Sequence, residues 1–282
     1  MSGTQLRPVD ITPILRPERA ALIELLARLD DDAWAAPTEC PEWDVKGIAL
    51  HVLGDDFSLL SRQRDDATEG LILYAEHHPG LEFRQLLDGF NEQWVTAASF
   101  MGRRLLLDLL ELTGEWSADY YSAVDPQRPG EVVGFFGATD ASPYWQIAAR
   151  EYVERWAHQH QIRRAVGEPD LGAEFLGPAL EVIVSAISGH LAWLEPEPDT
   201  RLGFVVPGVA EWTLTRNAAG WVAAPGATHD ADLTISVAAD TATTVLSRGM
   251  TAGQIGDVLV VSGDDELASS VVAFLVPFMA RP

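Results

Sequence analysis

Apolar residues recur at helical spacing from about residue 17 to 195, and beyond residue 200 the period shortens toward two. Leu22, Leu25, Leu26 and Leu29 form one stripe, and Pro17 suits a first helical position, where the missing N–H is idle anyway, so a helix is predicted over roughly 17–30. A loop with two prolines, Ala36 to Asp44, follows, and Asp44 can cap a helix starting near Val45 that carries Ile48, Leu50, His51, Val52, Phe57, Leu59 and Leu60. A third helical stretch is predicted from about Glu82 to Leu112, weakly interrupted at Gly89 and Gly102. Trp116 to Ser142, rich in Gly, Pro and Asp, reads as an irregular connection. Tyr144 to Val166 is strongly helical and stops at Gly167, and a further helix over about 173–194 ends at Glu195-Pro-Glu-Pro198.

Pro196 and Pro198 mark a linker. After it, Leu202–Val206, Glu211–Thr215, Gly220–Ala223, Ala231–Val237 and Val258–Ser262 alternate as strands do, Asn217-Ala-Ala-Gly220 reads as a hairpin turn, and 240–248 and 265–279 are helical. The fold class is therefore α + (α+β): a helical bundle over residues 1–197, then a small α+β domain over 198–282. A chain of 282 residues has room for two such cores.

Composition narrows the functional classes. A formal net charge of −23, from 42 acidic and 19 basic residues, repels phosphate backbones and anionic lipid, so neither nucleic acid nor a membrane is expected as partner. The tight arginine pairs Arg103/Arg104 and Arg163/Arg164 are too few for a nucleic-acid footprint. Cys40 is the only cysteine, which excludes an intrachain disulfide and points to a reducing compartment. The first residues, Met-Ser-Gly-Thr-Gln-Leu-Arg-Pro, do not form a signal peptide, and no window is expected to reach the roughly 20 apolar residues that span a bilayer. The expectation is a soluble, cytoplasmic protein.

The candidate chemistry lies on two helices. In Glu151-Tyr-Val-Glu154-Arg-Trp-Ala-His158, positions 151, 154 and 158 share one face. Alone, such a Glu–His pair is an exposed contact worth a few tenths of a kcal/mol. His51, however, lies in a helix that must bury most of its surface, and a buried neutral imidazole needs a partner or a metal. With helix axes about 8–10 Å apart in a bundle, His51, Glu154 and His158 can meet around one divalent ion, with open positions as in a catalytic site. Zinc fits best, with iron, nickel and manganese open.

The segment Thr38-Glu-Cys-Pro-Glu-Trp-Asp-Val-Lys-Gly-Ile-Ala-Leu-His51-Val-Leu-Gly54 resembles the Thr-x-Cys-Pro-x-Trp-x-Val…His-Leu signature of the mycothiol-dependent maleylpyruvate isomerase family, within the DinB-like superfamily. Glu154-Arg-Trp-Ala-His158-Gln-His-Gln-Ile-Arg163 is similar to that family's Glu-x-Trp-x-His…Asp-Ile-Arg segment, and Val258–Asp264 with Leu267-Ala268 to its small C-terminal domain, itself related to sterol-carrier folds. The resemblance implies a DinB-like up-down bundle followed by a sterol-carrier-like α+β domain. It implies that His51, Glu154 and His158 are metal ligands, and that mycothiol or a related low-molecular-weight thiol is the co-substrate. Glu42 stands where the family usually has a small residue, and Gln161 where it often has Asp.

On this reading the protein is a metal-dependent thiol transferase or isomerase acting on a small electrophile, because a divalent cation stabilises a thiolate near neutral pH. Arg155 and Arg163 are candidates to bind an anionic substrate or thiol, or else belong to a solvated helix face. Two rivals stand beside it: a non-catalytic binding protein holding an apolar small molecule in its last third, and a metal-dependent hydrolase needing no thiol. Cys40, between Glu39 and Pro41 with no base nearby in sequence, reads as a loop-packing residue. His160 points about 200° from His158 around the helix and is expected to be solvated or packed elsewhere. His77 and His78 read as surface loop residues, and His190 and His229 have no partner identifiable in the sequence. Gly249-Met-Thr-Ala-Gly253-Gln-Ile-Gly256 lacks the lysine of a P-loop. The tryptophans read as core, with Trp156 a possible pocket wall.

Overall fold

The structure is a computed structural model that describes residues 6–218, 220–226 and 228–281. Residues 1–5, where the reading of a missing signal peptide begins, and Ala219 of the expected hairpin turn lie outside the described residues. The chain forms two compact units that interleave in sequence. A helical unit comprises Thr12–Val124 and Gln161–Glu168, and a mixed unit comprises the chain up to Ile11, Asp125–His160 and Pro169 onward.

The helical unit contains α1 (Thr12–Ala27), α2 (Asp31–Trp34), α3 (Val45–Leu59), α4 (Glu69–His77), α5 (Phe83–Ala98) and α6 (Arg103–Ala123). It also takes the last turn of α7 (Tyr144–Ala165), whose Ile162 is buried in the same apolar core as Leu22, Leu25, Leu26, Ile48, Leu53 and Leu106. Helix α3 starts where the sequence places it, with the Asp44 carboxylate accepting from the Gly47 N–H at 2.7 Å. Gly54 lets α5 approach: a Cβ there would lie 2.4 Å from the Trp94 ring, whose Nε1 donates to the Leu50 carbonyl at 2.7 Å. One buried ion pair ties three helices together. Arg19 of α1 donates through Nη1 and Nη2 to the Asp56 carboxylate of α3 at 2.7 and 3.0 Å, and the Thr113 hydroxyl of α6 donates to Asp56 at 2.7 Å.

Several elements differ from the sequence reading. Helix α1 begins at Thr12, which leaves Pro17 inside it at the cost of one backbone hydrogen bond. The expected third stretch is two helices, broken at Ser99–Gly102, with Gly102 extended at the N-cap of α6. Helix α6 then runs through Trp116 to Ala123, because small polar residues (Thr113, Gly114, Ser117) continue its buried face where an apolar count sees a gap. Helix α4, to which the sequence reading assigned no element beyond placing His77 and His78 in a loop, buries none of its residues, and its apolar residues form the run Leu71-Ile72-Leu73-Tyr74 rather than a helical stripe.

The mixed unit holds the rest of α7, α8 (Ala173–His190), β1 (Arg201–Val206), β2 (Ala210–Asn217), β3 (Gly220–Pro225), β4 (Leu233–Ser236), α9 (Ala239–Leu246), α10 (Ala252–Val258), β5 (Val260–Gly263) and α11 (Asp265–Met279). The five strands lie in the order β3-β2-β1-β4-β5, antiparallel except for the parallel β1–β4 pair. Asn217 pairs with Gly220, as the predicted hairpin requires. Helix α10 falls in the glycine-rich stretch to which the sequence reading assigned no element, and it starts on a reciprocal Thr251/Gln254 capping box. The protein is thus a helical domain with a C-terminal mixed-sheet domain.

One sequence expectation is overturned. Ala173–Trp193 is 21 residues long with mean hydropathy 1.5, long and apolar enough by composition to cross a membrane. Its most apolar stretch is 67% buried inside the protein. Its hydrophobicity on nearly all sides has a local cause: Phe175, Leu176, Leu180, Ile183, Val184 and Ile187 are all buried, as in a central core helix.

The buried pair supplies a stability test. Asp56→Ala strands the Arg19 guanidinium in the core, and urea unfolding is expected to register a loss of about 3–5 kcal/mol; a loss under about 1 kcal/mol would mean that the pair does not anchor α1 and α6 to α3.

Candidate functional site

Helix α3 is buried along most of its length, and His51 on it is 6% exposed. The loop before it sets the imidazole. The Thr38 hydroxyl donates to the Trp43 carbonyl at 2.7 Å and accepts from the Cys40 N–H at 3.1 Å, and Pro37 bridges to Asp44. That fold lays the Trp43 indole on His51, ring centroids 4.7 Å apart and planes 29° off parallel, while Trp43 Nε1 donates to the Glu92 carboxylate at 2.7 Å. One turn along α3, Asp55 Oδ2 lies 3.4 Å from His51 Nε2.

Helix α7 carries the second pair. His158 Nε2 lies 3.8 Å from Glu154 Oε2, and Arg150 reaches both Glu151 (2.6 Å) and Glu154 (3.6 Å). Around them α7 buries an unusual number of polar groups: Gln146, Glu151, Arg155, Gln159, His160, Gln161 and Arg163. Arg155 and Arg163 therefore do not belong to a solvated face. The Gln159 carboxamide and the Trp156 indole N–H, both fully buried, have no hydrogen-bond partner among the described residues, a costly arrangement that commonly marks a functional or water-filled position.

Among the described residues, no three His, Cys, Asp or Glu side chains form one metal-sized group. The donors occur as two i,i+4 pairs, His51/Asp55 and Glu154/His158. Metal–nitrogen and metal–oxygen bonds of about 2.0–2.2 Å at tetrahedral angles put neighbouring donors about 3.3–3.5 Å apart. His51 Nε2 and Asp55 Oδ2, at 3.4 Å, fall within that range, and His158 Nε2 and Glu154 Oε2, at 3.8 Å, lie outside it. The sequence reading did not single out Asp55, which follows His51 by four residues on one helix face.

The other candidates fall into structural roles. Cys40 is half-buried and its thiol donates to Gln161 Oε1 at 3.4 Å, while Arg164 holds Glu39 at 2.8 and 2.6 Å, so the loop is fastened to the end of α7. His160 is fully buried, not solvated: Nδ1 bonds the Trp156 carbonyl at 2.8 Å, and Nε2 accepts from the Leu171 N–H at 3.2 Å. That fixes the proton on Nδ1 and leaves no lone pair for a metal. His77 and His78 are exposed, His77 closing α4, and each bonds a carbonyl one turn back. His229 is exposed beside Asp230 at 3.1 Å. His190 does have partners: Nε2 bonds the Phe135 carbonyl at 3.1 Å, and its ring packs on Phe274 and Phe278 at 5.4 and 5.3 Å.

A helical unit that buries His51 beside Asp55, and a mixed-sheet unit whose part of α7 carries Glu154 and His158, define a two-part protein of helical and mixed-sheet domains. Residues 15–163 match the mycothiol maleylpyruvate isomerase N-terminal domain, and the chain belongs to that family. Two solved structures, a crystal structure of the mycothiol-dependent maleylpyruvate isomerase and one of a histidine-to-alanine mutant of it, share the fold. Each superposes with a TM-score of 0.52 at 12% identity, over 89% of this chain and 91% of theirs. No curated protein sequence matches the chain.

His190 generates a pH prediction. Burial lowers its pKa from the ordinary 6.5, against a smaller opposing effect of hydrogen bonds to the Phe135 and Gly134 backbone. Below pH 6.5 the unfolded chain therefore takes up a proton that the folded protein resists, so His190 adds a stability term that is intact above 6.5 and lost as the pH falls. Melting temperature measured from pH 8 to 5 is expected to drop less steeply in His190→Gln than in the wild type; parallel curves would remove His190 as the cause.

Proposed function

We propose that the protein is a metal-dependent, thiol-dependent enzyme, an isomerase or transferase that uses mycothiol or a related thiol on a small electrophile. The observation that carries this reading is the family match, whose residues 15–163 include both donor pairs. The related crystal structure belongs to a mycothiol-dependent maleylpyruvate isomerase, and the same co-substrate and reaction class are inferred here. His51, Glu154 and His158 are proposed as metal ligands, zinc being the best match to two imidazoles and a carboxylate. A divalent cation, when bound, stabilises the deprotonated form of a coordinating thiol near neutral pH.

The chain's own residues support that chemistry in three ways. Trp43, held by Glu92, fixes the plane of the His51 imidazole, and pre-set ligands lose little entropy on binding. Arg150 places its guanidinium beside Glu151 at 2.6 Å and Glu154 at 3.6 Å, which holds the Glu154 side chain on the face of α7 that it shares with His158. The buried guanidinium of Arg155 supplies a cation for an anionic substrate or thiol. The strongly acidic chain and its single, half-buried cysteine agree with a cytoplasmic protein without nucleic-acid or membrane partners.

A second reading rests on a different observation. The mixed unit holds a partly open apolar cavity of about 50 Å³ between one face of α8 (Leu180, Ile183, Val184, Ile187), the sheet and α11. This agrees with a sterol-carrier-like unit, and with a non-catalytic protein for an apolar small molecule.

Turnover separates the readings. Protein purified without chelator is expected to carry about one equivalent of metal and to convert maleylpyruvate only when mycothiol is added. His158→Ala is expected to lose most of the metal, with a fall in activity beyond the roughly 10- to 100-fold that losing an outer-sphere partner costs. Equal electrophile consumption without thiol would favour the hydrolase instead, and no turnover with no metal would favour the binding protein. The cavity has its own test: Ala210→Leu, filling the void, is expected to raise stability by about 1 kcal/mol at 24 cal/mol per Å3, and a destabilised variant would mean the space is needed for packing.

A further inference from the structure

We propose that α6 pairs antiparallel with α6 of a second copy of this chain, along an apolar seam that the helical unit leaves exposed; the proposal is independent of the metal reading above. Helix α6 carries two seams of the same spacing. Leu106, Leu110, Thr113 and Ser117, at intervals of four, three and four, are buried, and the helical unit meets them from α1 and α3, where Arg19 bonds the Leu110 carbonyl and Asp56 accepts from Thr113. Leu105, Leu109, Leu112 and Trp116 repeat those intervals one position earlier, about 100° around the helix. Leu105, Leu112 and Trp116 are 50%, 43% and 41% exposed, and Leu109 is half-buried. Alternating steps of four and three are the pattern by which the side chains of one helix fit between those of another. The buried seam uses that pattern inside the monomer, and the exposed one repeats it toward solvent.

Two observations select a second copy as the occupant. The intervals read the same in both directions, so a two-fold axis between Leu109 and Leu112 lays the seam on itself, with Leu105 against the partner's Trp116 and Leu109 against the partner's Leu112. Charge then selects the antiparallel sense. Beside the seam stand Arg104 near the start of α6 and, further along, Asp108, Glu115 and Asp119, the last two held by Arg16 of α1. Arg104 and Asp108 are exposed and form no ion pair among the described residues. The two-fold axis brings Arg104 toward the partner's Asp119, and Asp108 toward the partner's Glu115, whose charge the partner's Arg16 offsets. A parallel pair would set the two Arg104 side chains together and align the acids in register. Phe100, 84% exposed just before the Gly102 N-cap, adds apolar surface at the end of the helix. One helix pair covers less than the roughly 800 Å² per partner of a standard interface, so the dimer is a weak one, and the formal charge of −23 on each copy opposes it further.

Sedimentation velocity of the full-length protein from about 1 to 500 µM covers the affinities that such an interface reaches. The expected result is a reversible monomer–dimer equilibrium, weakened more than about tenfold in Leu112→Glu, which sets like charges on both sides of the axis. Circular dichroism and melting temperature of the variant are expected to match the wild type. A wild type that stays monomeric throughout overturns the proposal and leaves the seam to a helix of another protein. An unaltered dimer in a folded Leu112→Glu also overturns it, by placing the interface elsewhere. Register is read separately by mixing Leu105→Cys and Trp116→Cys proteins with a short bis-maleimide, the half-buried native Cys40 giving the wild-type background. Antiparallel pairing is expected to link the two variants to each other and neither to itself. Linkage of each variant to itself overturns the antiparallel seam, and this second experiment decides the matter should Leu112→Glu fail to fold.

Discussion

Helix α3 is buried on nearly every side, and that constraint organises the helical unit. A helix in this position has no water to satisfy its polar groups, so each must be met by a neighbour. Asp56 is met by Arg19 and Thr113, the Leu50 carbonyl by Trp94, and His51 by Trp43 and Asp55. These contacts come from α1, α6, α5 and the loop before α3. Satisfying one helix therefore fixes the positions of most of the others.

The same constraint explains the Thr-x-Cys-Pro-x-Trp loop without giving its cysteine a chemical task. Thr38 shapes the turn, Asp44 caps the helix, and Trp43 is delivered onto the imidazole. Cys40 contributes a weak thiol hydrogen bond to Gln161, and Glu39 receives Arg164. Gln161, standing where the family often has Asp, is occupied in fastening that loop. Its departure from the pattern thus has a packing consequence before it has a catalytic one.

What the sequence could reveal follows from how each element is stabilised. Helices α3, α7 and α8 and all five strands were legible because burial on regular faces leaves a periodic record, and α3 and α7 carry the proposed ligands. Helix α4 was not, since it buries nothing; α6 was cut short, since Thr113, Gly114 and Ser117 pack without being apolar. The prolines near 197 do mark the change from helix to strand at Arg201. Packing, though, draws its units through the chain three-dimensionally, taking Asp125–His160 with the sheet. Such long-range partnership leaves no local trace. The histidines illustrate the same limit: His160 and His190 each bond a backbone group far along the chain, 11 and 55 residues away.

The donor pairs show why a helix suits this task. A period of 3.6 residues places i and i+4 side chains about one turn apart on one face, close to the reach over which an imidazole and a carboxylate can share a cation. Both pairs use this spacing, and in opposite senses: histidine precedes the acid on α3 and follows it on α7. An exposed pair of this kind would be worth only a few tenths of a kcal/mol, too little to matter for folding. What distinguishes the α3 pair is its setting, because a 6% exposed imidazole pinned by an indole has already lost the rotamer freedom that an exposed pair would forfeit on binding. The orientation of the imidazole is in this way set by the packing of the core, and a substitution at Trp43 or Glu92 acts on His51 through the contacts that hold its ring.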